Sequence, residues 1–261
     1  MYYLDKEQCM AKKSYSKINL FLRSLIFSIY SLSSIFLYSF ILAFSMLFPL
    51  RYRHGLIRAF LKAYMFMLKV VCHIDYQIEG LEHLPKDRTG IILSKHQSTW
   101  ETFFLPIIFH DPAVIVKREL LWVPFFGWGL AVSDPIAINR RNKSTAMQQL
   151  IEKGKKCLES GRWILVFPEG TRVAPGVVGH YKLGGARLAS VTGYPIIPVA
   201  HNAGRYWPRR KFIKQPGTVR VVIGPLIATE GRTPEEVLRL AKNWIESTMV
   251  RIDGLVDKST R

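Results

Sequence analysis

The chain is organised around the stretch Gly90-Ile91-Ile92-Leu93-Ser94-Lys95-His96-Gln97-Ser98-Thr99-Trp100-Glu101. Its apolar start is typical of a buried strand. Ser98 is followed three residues later by Glu101, which is the pattern of a capping box and predicts a helix that starts at Ser98. His96 is therefore expected on the loop of a strand-to-helix turn.

His96 and Glu101 are candidates for a catalytic pair. They cannot share one face of a regular helix, because five steps of about 100° leave their side chains about 140° apart. They can meet if the backbone changes conformation between them. Glu101 then accepts a hydrogen bond from one ring nitrogen of His96 and leaves the other free as a base. The alternative is that Glu101 only caps its helix and that His96 is an ordinary solvated or packed side chain.

Beyond residue 73 the sequence changes to short runs rich in isoleucine and valine, which are typical of strands. We predict strands at 74–78, 90–93, 113–116, 135–138, 163–167, 195–200 and 219–223. Helices are predicted between and after them, notably at 144–160 and 234–252. Strands that alternate with helices indicate an α/β fold, with a mostly parallel or mixed sheet flanked by helices. Residues 74–261 are therefore expected to form one domain.

Residues 1–73 are predicted to be a membrane part. Residues 1–23 are a basic arm without a helical period, whereas residues 24–50 carry no charge and are long enough to cross a bilayer as a helix. Pro49 is expected to end this helix. Basic residues are equally numerous on the two flanks, so they give no orientation, and a helical hairpin is as plausible as a single span.

Residues 53–72 are predicted to form an amphipathic helix. Arg58, Lys62 and Lys69 fall on one side of it, and apolar residues cover the rest. This pattern is typical of a helix that lies at a membrane surface with a basic stripe. An amphipathic helix packed on the domain is the alternative.

The formal net charge of +18 calls for an anionic partner, and nucleic acid, an acidic lipid surface and a phosphorylated substrate are the alternatives. The basic run at 205–220 is interleaved with aromatic residues and superficially suits nucleic acid. Beside a membrane segment, anionic headgroups are the simpler partner, so no nucleic acid is expected. No spacing of cysteines or histidines indicates a metal site, and no cofactor motif is present.

Phe167-Pro168-Glu169-Gly170-Thr171-Arg172 follows a predicted strand, at the end where open α/β sheets keep their ligands. Gly170 allows close approach of the backbone, Thr171 supplies a hydroxyl, and Arg172 can hold a phosphate through two hydrogen bonds. A turn with a surface arginine is the alternative. Lys117 and Arg140 end two other predicted strands and are further candidates for contacts with an anion.

Four ordered blocks resemble those of the glycerophospholipid acyltransferase family: 96–101, 117–127, 167–172 and 194–199. The resemblance implies a glycerol-3-phosphate acyltransferase-like fold with a membrane-embedded helical hairpin. It also implies His96 and Glu101 as catalytic residues, Lys117, Gly170, Thr171 and Arg172 at a substrate phosphate, and Pro198 at an acyl or donor site. The commonest family pattern has aspartate where this chain has Glu101.

The family's reaction moves a fatty acyl group from acyl-CoA or acyl carrier protein to the sn-2 hydroxyl of lysophosphatidic acid. The resemblance therefore predicts an enzyme of phospholipid biosynthesis that works at an anionic membrane surface. A bacterial inner membrane, with the catalytic domain on its cytoplasmic side, is the expected location. Another lysophospholipid or a lyso-aminolipid is the alternative acceptor, and a non-enzymatic membrane-binding protein is the alternative of a different class.

Overall fold

The core of the molecule is a mixed β-sheet. The computed structural model describes residues 15–85, 87–139 and 143–257. Within these residues the sheet has seven strands in the order β1-β7-β6-β2-β5-β3-β4, and only β6 and β7 pair antiparallel. The strands are β1 (Ile74–Glu79), β2 (Ile91–Ser94), β3 (Ala113–Lys117), β4 (Ile136–Ile138), β5 (Ile164–Val166), β6 (Ile196–His201) and β7 (Gly217–Ile223). All seven predicted strands are confirmed, and so is the α/β fold class.

Helices cover both faces of the sheet. They are α1 (Lys17–Ser45), α2 (Leu50–Cys72), α3 (Trp100–Ile108), α4 (Phe126–Val132), α5 (Lys143–Glu159), α6 (Gly184–Thr192), α7 (Ala203–Tyr206) and α8 (Pro234–Asp257), with short 3₁₀ helices at Leu81–His83 and Arg118–Trp122. Ile91 and Leu93 of β2 face α5, α6 and α8, whereas Ile92 faces α1, α2 and α3. Because both faces are covered, the central strands are apolar throughout rather than alternating.

The N-terminal helices form a hairpin whose bounds differ from the sequence prediction. Helix α1 begins at Lys17, within the predicted basic arm, because Ser16 caps it by accepting from Asn19 N–H. The helix accommodates the charged Arg23, because its guanidinium donates hydrogen bonds to the side chain of Asn19 and to a backbone carbonyl of α2. The helix ends at Ser45, and Pro49 is the N-cap of α2 rather than the end of α1. Residues 1–14 of the predicted arm lie outside the described residues.

Helix α1 lies along the domain rather than projecting from it. Phe27 is fully buried, and its ring meets those of Tyr64 and Trp207. Nearer the other end, Leu42 is buried beside Gly129 of α4. The opposite face of α1 is apolar and exposed, and within the described residues this is the one helix long and apolar enough to cross a membrane. Its length and composition are consistent with membrane association.

Helix α2 does not present the whole predicted basic stripe to the outside. Arg58 forms an ion pair with the buried Asp111, and Lys69 lies 2.8 Å from Asp75 at the start of β1. The buried side of α2 includes Met65 and Leu68, which pack into the core shared with α3. Two of the three cations therefore join α2 to the sheet domain. This is consistent with the alternative interpretation, in which the amphipathic helix packs on the domain.

Candidate active site

The loop between β2 and α3 carries His96 at the carboxyl end of the sheet's central strand. Helix α3 starts at Trp100, two residues later than predicted, with Thr99 at the N-cap position. Ser98 still acts in capping, because its hydroxyl accepts from Trp100 N–H at 3.1 Å. Glu101 completes the reciprocal half of the box by accepting from Ser98 N–H at 2.8 Å. The change of conformation expected between His96 and Glu101 thus occurs over residues 97–99.

The structure brings His96 and Glu101 into direct contact. Nδ1 of His96 lies 2.9 Å from Oε1 of Glu101, and that oxygen also accepts from the backbone N–H groups of Gln97 and Ser98. An ionised carboxylate can only accept, so Nδ1 carries the proton and Nε2 is the basic nitrogen. The His96 ring stacks on Phe167 with 4.1 Å between centroids. Glu101 therefore caps the helix and orients His96 at the same time.

Glu101 is fully buried, which would normally favour its protonated form. That effect of burial on the pKa is outweighed by the neighbouring His201 and by the N–H donors of His96 and Ser98, so the pKa of Glu101 lies below its ordinary value. The lowered pKa keeps Glu101 ionised, and an ionised carboxylate is the acceptor that the Nδ1–H tautomer of His96 needs.

His201, at the end of β6, is a second buried histidine that sequence reasoning did not single out. Its Nε2 lies 2.8 Å from the carbonyl oxygen of Lys95 and 4.0 Å from Oε2 of Glu101. Nε2–H therefore donates to Lys95, while Nδ1 accepts from Ala203 N–H. Burial lowers the pKa of His201, with Glu101 opposing the shift. A neutral His201 holds the backbone just before His96.

Lys95 lies beneath the loop in a buried ionic cluster. Its side chain is 1% exposed, and Nζ lies 2.8 Å from Oε1 of Glu169 and 2.8 Å from Oε1 of Glu246 on α8. Tyr181 donates a hydrogen bond to the same oxygen of Glu246. Burial raises the pKa of Glu169, and the hydrogen bond from Lys95 opposes that shift. The cluster joins the His96 loop to the predicted anion loop and to α8.

Glu169 also contacts the His96 loop directly. Its Oε2 accepts from the backbone N–H of His96 at 2.8 Å, and Val173 N–H donates to the carbonyl of His96 at 2.9 Å. The backbone of His96 is thus held on both sides by residues of the 167–173 segment. The sequence placed Glu169 in a candidate ligand loop but gave no sign of this supporting contact.

Arg172 is the centre of a basic cluster beside His96 and Glu101. Its Nη1 donates to the hydroxyl of Thr99 at 2.6 Å, and Arg209 donates to its carbonyl at 2.8 Å. Burial lowers the pKa of Arg172, as do the like charges of Arg209 and Arg210, while Glu101 opposes them. The guanidinium remains charged in any case. An anion placed here would relieve the repulsion among the three arginines.

Gly170 and Lys117 share a cavity with His96, as the resemblance implied for one substrate site. Gly170 has φ 66°, and a Cβ there would lie 2.8 Å from Nζ of Lys182. Lys182 is exposed and is a further cation that the sequence did not indicate. Thr171 is exposed next to Gly170. The predicted anion contact Arg140 lies outside the described residues.

The cavity has a volume of about 350 Å³ and mostly apolar walls. It begins at His96 and Phe167 and extends between the helical hairpin and α3 and α4. The residues that supply its walls include Tyr38, Ser39, Leu42, Ile57, Leu61, Phe103, Val116, Leu120, Phe126 and Leu130. Its size, shape and lining suit a hydrocarbon chain whose reacting end lies at His96.

Pro198 is not brought to this cavity. It lies in the middle of β6, buried, and the position of a Cβ on Gly224 would be 2.7 Å from its ring. Its role at an acyl or donor site therefore stays a prediction. Within the described part of the chain, no group of three or more His, Cys, Asp or Glu side chains is arranged to hold a metal ion.

The mixed sheet carries His96 at its carboxyl edge, with a basic cluster beside it and a mostly apolar cavity in front, an arrangement that suits a transferase acting on a lipid. The family model for acyltransferases matches residues 75–202. A 1-acyl-sn-glycerol-3-phosphate acyltransferase from Pseudomonas aeruginosa is 44% identical over 83% of this chain and 85% of its own length. The chain belongs to the acyltransferase family.

Relatives with lower sequence identity support the same family. The 1-acyl-sn-glycerol-3-phosphate acyltransferase alpha of Mus musculus is 30% identical over 72% of this chain and 68% of its own. The crystal structure of the 1-acyl-sn-glycerophosphate acyltransferase PlsC from Thermotoga maritima matches with a TM-score of 0.74 and 28% identity, covering 94% of this chain and 98% of that one. The match covers the hairpin as well as the sheet domain.

Proposed function

We propose that this acyltransferase moves a fatty acyl group from acyl-CoA or acyl carrier protein to the sn-2 hydroxyl of 1-acyl-glycerol-3-phosphate, giving phosphatidic acid for phospholipid biosynthesis. The observation that carries the proposal is the 2.9 Å contact between His96 Nδ1 and a Glu101 oxygen that two backbone N–H groups also hold. It fixes Nε2 as a base at the mouth of an apolar cavity. The names of the relatives support lysophosphatidic acid as the acceptor.

In the proposed reaction, Nε2 of His96 takes the proton of the acceptor hydroxyl as its oxygen attacks the thioester carbonyl carbon. The carbon–sulfur bond then breaks, and the thiolate leaves and receives the proton from His96. Glu101 stabilises the imidazolium that forms between these steps. General-base catalysis of this kind contributes about 10² to 10⁴ in rate, and no covalent acyl-enzyme is required.

The phosphate of the acceptor is proposed to lie against Arg172, Lys117 and the Gly170–Thr171 backbone. Arg172 has Arg209 and Arg210 as like-charged neighbours, so a phosphate would be held by several cations rather than one. Lys117 and Gly170 line the same cavity as His96, which allows one molecule to contact all three. The cavity is then available to an acyl chain.

Residues 1–73 are proposed to be the membrane part and residues 74–261 the catalytic domain. Helix α1 supports this division through its exposed apolar face and its suitability, by length and composition, for a membrane. The catalytic domain is proposed to lie on the cytoplasmic side of a bacterial inner membrane, and helix α1 together with the bacterial relative is consistent with membrane association.

The test is a panel of acceptors. The full-length protein in phospholipid vesicles would receive lysophosphatidic acid, lysophospholipids with larger headgroups and a lyso-aminolipid, each with labelled acyl-CoA or acyl carrier protein. We expect labelled phosphatidic acid as the main product. Product formed mainly from a lyso-aminolipid or a large-headgroup lysolipid would overturn the proposed acceptor.

Arg172→Met tests the phosphate site in the same assay. Loss of a buried charged contact costs about 2 to 5 kcal/mol, so kcat/KM for lysophosphatidic acid should fall at least about 30-fold. The loss should be much smaller for monoacylglycerol, which lacks the phosphate. Arg187→Met, on the exposed side of α6, is the matched control. Equal losses on both acceptors would assign Arg172 a structural role instead.

A further inference from the structure

The cavity has a second end, opposite His96. Strands β2, β5 and β3 are parallel, so Lys117 at the carboxyl end of β3 lies at the same edge of the sheet as His96. Asp111 and Pro112 precede β3 and line the cavity at the opposite edge. The five residues of β3, at about 3.3 Å each, separate the two ends by about 16 Å. The cavity therefore runs along the length of this strand.

Two buried polar atoms at this far end lack a hydrogen-bond partner. The hydroxyl groups that line the cavity each donate to a backbone carbonyl oxygen, and they belong to Tyr38, Ser39, Thr102 and Ser133. Nε2 of His54 and Oδ1 of Asp111 are buried, yet no partner lies within hydrogen-bond distance of either among the described residues. Both residues line the cavity. Because buried polar atoms are nearly always paired, these two atoms indicate a polar ligand group at this end.

Asp111 and His54 are held in place by the elements around them. The side chain of Asp111 is 6% exposed, and its Oδ2 forms an ion pair with Arg58. Its backbone N–H donates to the carbonyl of Pro106 at 3.0 Å, which fixes the turn after α3. His54 lies one helical turn before Arg58, on the same face of α2, and the charge of Asp111 acts on it. We call this place the distal polar site and define it by His54 and Asp111.

The charges around the distal polar site favour a neutral ligand group. A carboxylate paired with Arg58 is ionised and can only accept hydrogen bonds, so Asp111 would repel an anionic group. A cationic group is opposed as well, because the arginines near the site outnumber the carboxylates: Arg53, Arg58 and Arg162 against Asp111 and Asp134. A hydroxyl group is neutral and both donates and accepts a hydrogen bond, which is what the two buried atoms require.

We propose that the distal polar site binds a hydroxyl group carried near the end of the fatty acyl chain, so that hydroxylated acyl groups are substrates. The hydroxyl donates to Oδ1 of Asp111 and accepts from Nε2–H of His54. An extended chain advances about 1.25 Å per carbon, so a span of about 16 Å from a carbonyl at His96 corresponds to about 12 to 14 carbons. The inference rests on the proposed function, because it takes the thioester carbonyl to lie at His96.

A set of acyl-CoA donors tests the proposal on the unmodified full-length protein, with lysophosphatidic acid as the acceptor. Tridecanoyl-CoA matches 12-hydroxydodecanoyl-CoA in length but ends in a methyl group. We expect kcat/KM for the hydroxylated donor to be about tenfold higher, because its hydroxyl is paired at the distal polar site. A donor with the hydroxyl at carbon 6 should instead be about tenfold worse than dodecanoyl-CoA, since the apolar walls leave that hydroxyl unpaired. A preference for tridecanoyl-CoA would overturn the proposal and assign the two polar atoms to water alone.

His54→Leu tests the site itself. The variant removes the N–H donor and retains an apolar side chain, so it should favour tridecanoyl-CoA over 12-hydroxydodecanoyl-CoA. His54→Gln keeps a side-chain N–H and should retain part of the preference for the hydroxyl. His180→Leu makes the same change at an exposed histidine and should behave like the unmodified protein. A preference for the hydroxyl that survives unchanged in His54→Leu would overturn the proposal.

An equilibrium measurement separates this proposal from the proposed function. In detergent, 12-hydroxydodecanoic acid and tridecanoic acid would each displace a fluorescent fatty acid from the full-length protein. The ratio of their two affinities is compared between the unmodified protein and His54→Leu, so that partition of the acids into detergent cancels. The ratio should shift about tenfold toward tridecanoic acid in the variant. An unchanged ratio would overturn the distal polar site even if phosphatidic acid is formed, whereas a shifted ratio in a protein without acyl transfer would contradict the proposed function alone.

Discussion

The surroundings of His96 differ in polarity on its two sides. Behind it, the ionisable side chains of Lys95, Glu101, Glu169 and His201 are buried together, and each has a polar contact within hydrogen-bond distance. In front of it, the cavity has mostly apolar walls. Buried ionic groups are stable only in a fixed geometry, whereas an apolar wall needs only the correct shape. The position of the proposed base is therefore fixed by individual polar contacts, whereas an acyl chain in the cavity would be selected by its size.

Because of this difference, we expect the two sides of His96 to tolerate different kinds of substitution. Removing one partner of a buried ion pair leaves an uncompensated charge, which costs far more than changing one apolar residue for another of similar size. Substitutions behind His96 should therefore affect catalysis or folding, and substitutions in front of it should affect the choice of acyl chain. The following predictions test that division.

His96→Ala should have the largest effect. Removal of the base should lower the rate of acyl transfer about 10² to 10⁴-fold, while the affinity for lysolipid changes little. The measurement is single-turnover acyl transfer together with a lysolipid binding isotherm. His180→Ala changes an exposed histidine and should retain normal turnover. Near-normal turnover in His96→Ala would refute the proposed mechanism.

Lys95→Met should have the second largest effect, on folding. It leaves Glu169 and Glu246 without their shared cation, and loss of one member of a buried pair costs about 3 to 5 kcal/mol. Denaturant unfolding in detergent would measure the free energy of unfolding. Lys156→Met breaks an exposed pair with Glu152, so it should cost less than about 1 kcal/mol. Similar costs for the two variants would mean that the buried cluster does not support the site.

Ser39→Phe should change the choice of acyl chain. Ser39 lines the cavity from α1, so a ring at this position occupies space that a long chain needs. We expect kcat/KM for long acyl chains to fall about tenfold relative to short ones, since loss of about two buried methylenes, at about 0.8 kcal/mol each, corresponds to about that factor. Ser33→Phe makes the same change on the exposed face of α1 and should leave the preference unaltered. If both variants shifted the preference equally, the cavity would not be the acyl site.

The smallest expected effect is a loss of stability in mild acid. The pKa values of His201 and Glu101 both lie below their ordinary values in the folded protein, so both groups bind protons more readily when the chain is unfolded. Their contribution is complete above the unfolded pKa values and is lost as the pH falls through the folded ones. Between about pH 7 and pH 5, protonation of His201 in the unfolded chain should account for part of the decrease. Unfolding of His201→Asn at both pH values should show a smaller decrease, and an identical decrease would mean that His201 does not titrate on unfolding.

Patterns between near neighbours in the sequence predicted much of the fold and the contact between His96 and Glu101. The apolar runs predicted the strands, and the spacing of Ser98 and Glu101 predicted the turn, because both depend on local backbone geometry. The partners of Lys95 were not predictable in this way, since Glu246 lies 151 residues away. His201 was missed for the same reason.

Errors arose where a long-range contact changed the meaning of a local pattern. Arg58 and Lys69 have the spacing of a lipid-facing stripe, but acidic residues of the sheet domain pair with them. The charge pattern places Arg23 at the boundary of an uncharged helix. In the structure, helix α1 includes Arg23, because a backbone carbonyl of α2 accepts a hydrogen bond from its guanidinium. Such partners depend on the packing of helices, which the local sequence does not specify.

The bond between Lys95 and Glu246 also sets an order of events during synthesis of the protein. Chains emerge from the ribosome with the N-terminal end first, at about 5 to 20 residues per second. Helix α1 is thus available to the membrane well before the codon for Glu246, 151 residues beyond Lys95, is read. Until α8 docks, the ammonium group beneath the His96 loop lacks one of its two carboxylates. Helix α1 is therefore made before the buried cluster beneath His96 can form, and that cluster is complete only when α8 packs on the sheet.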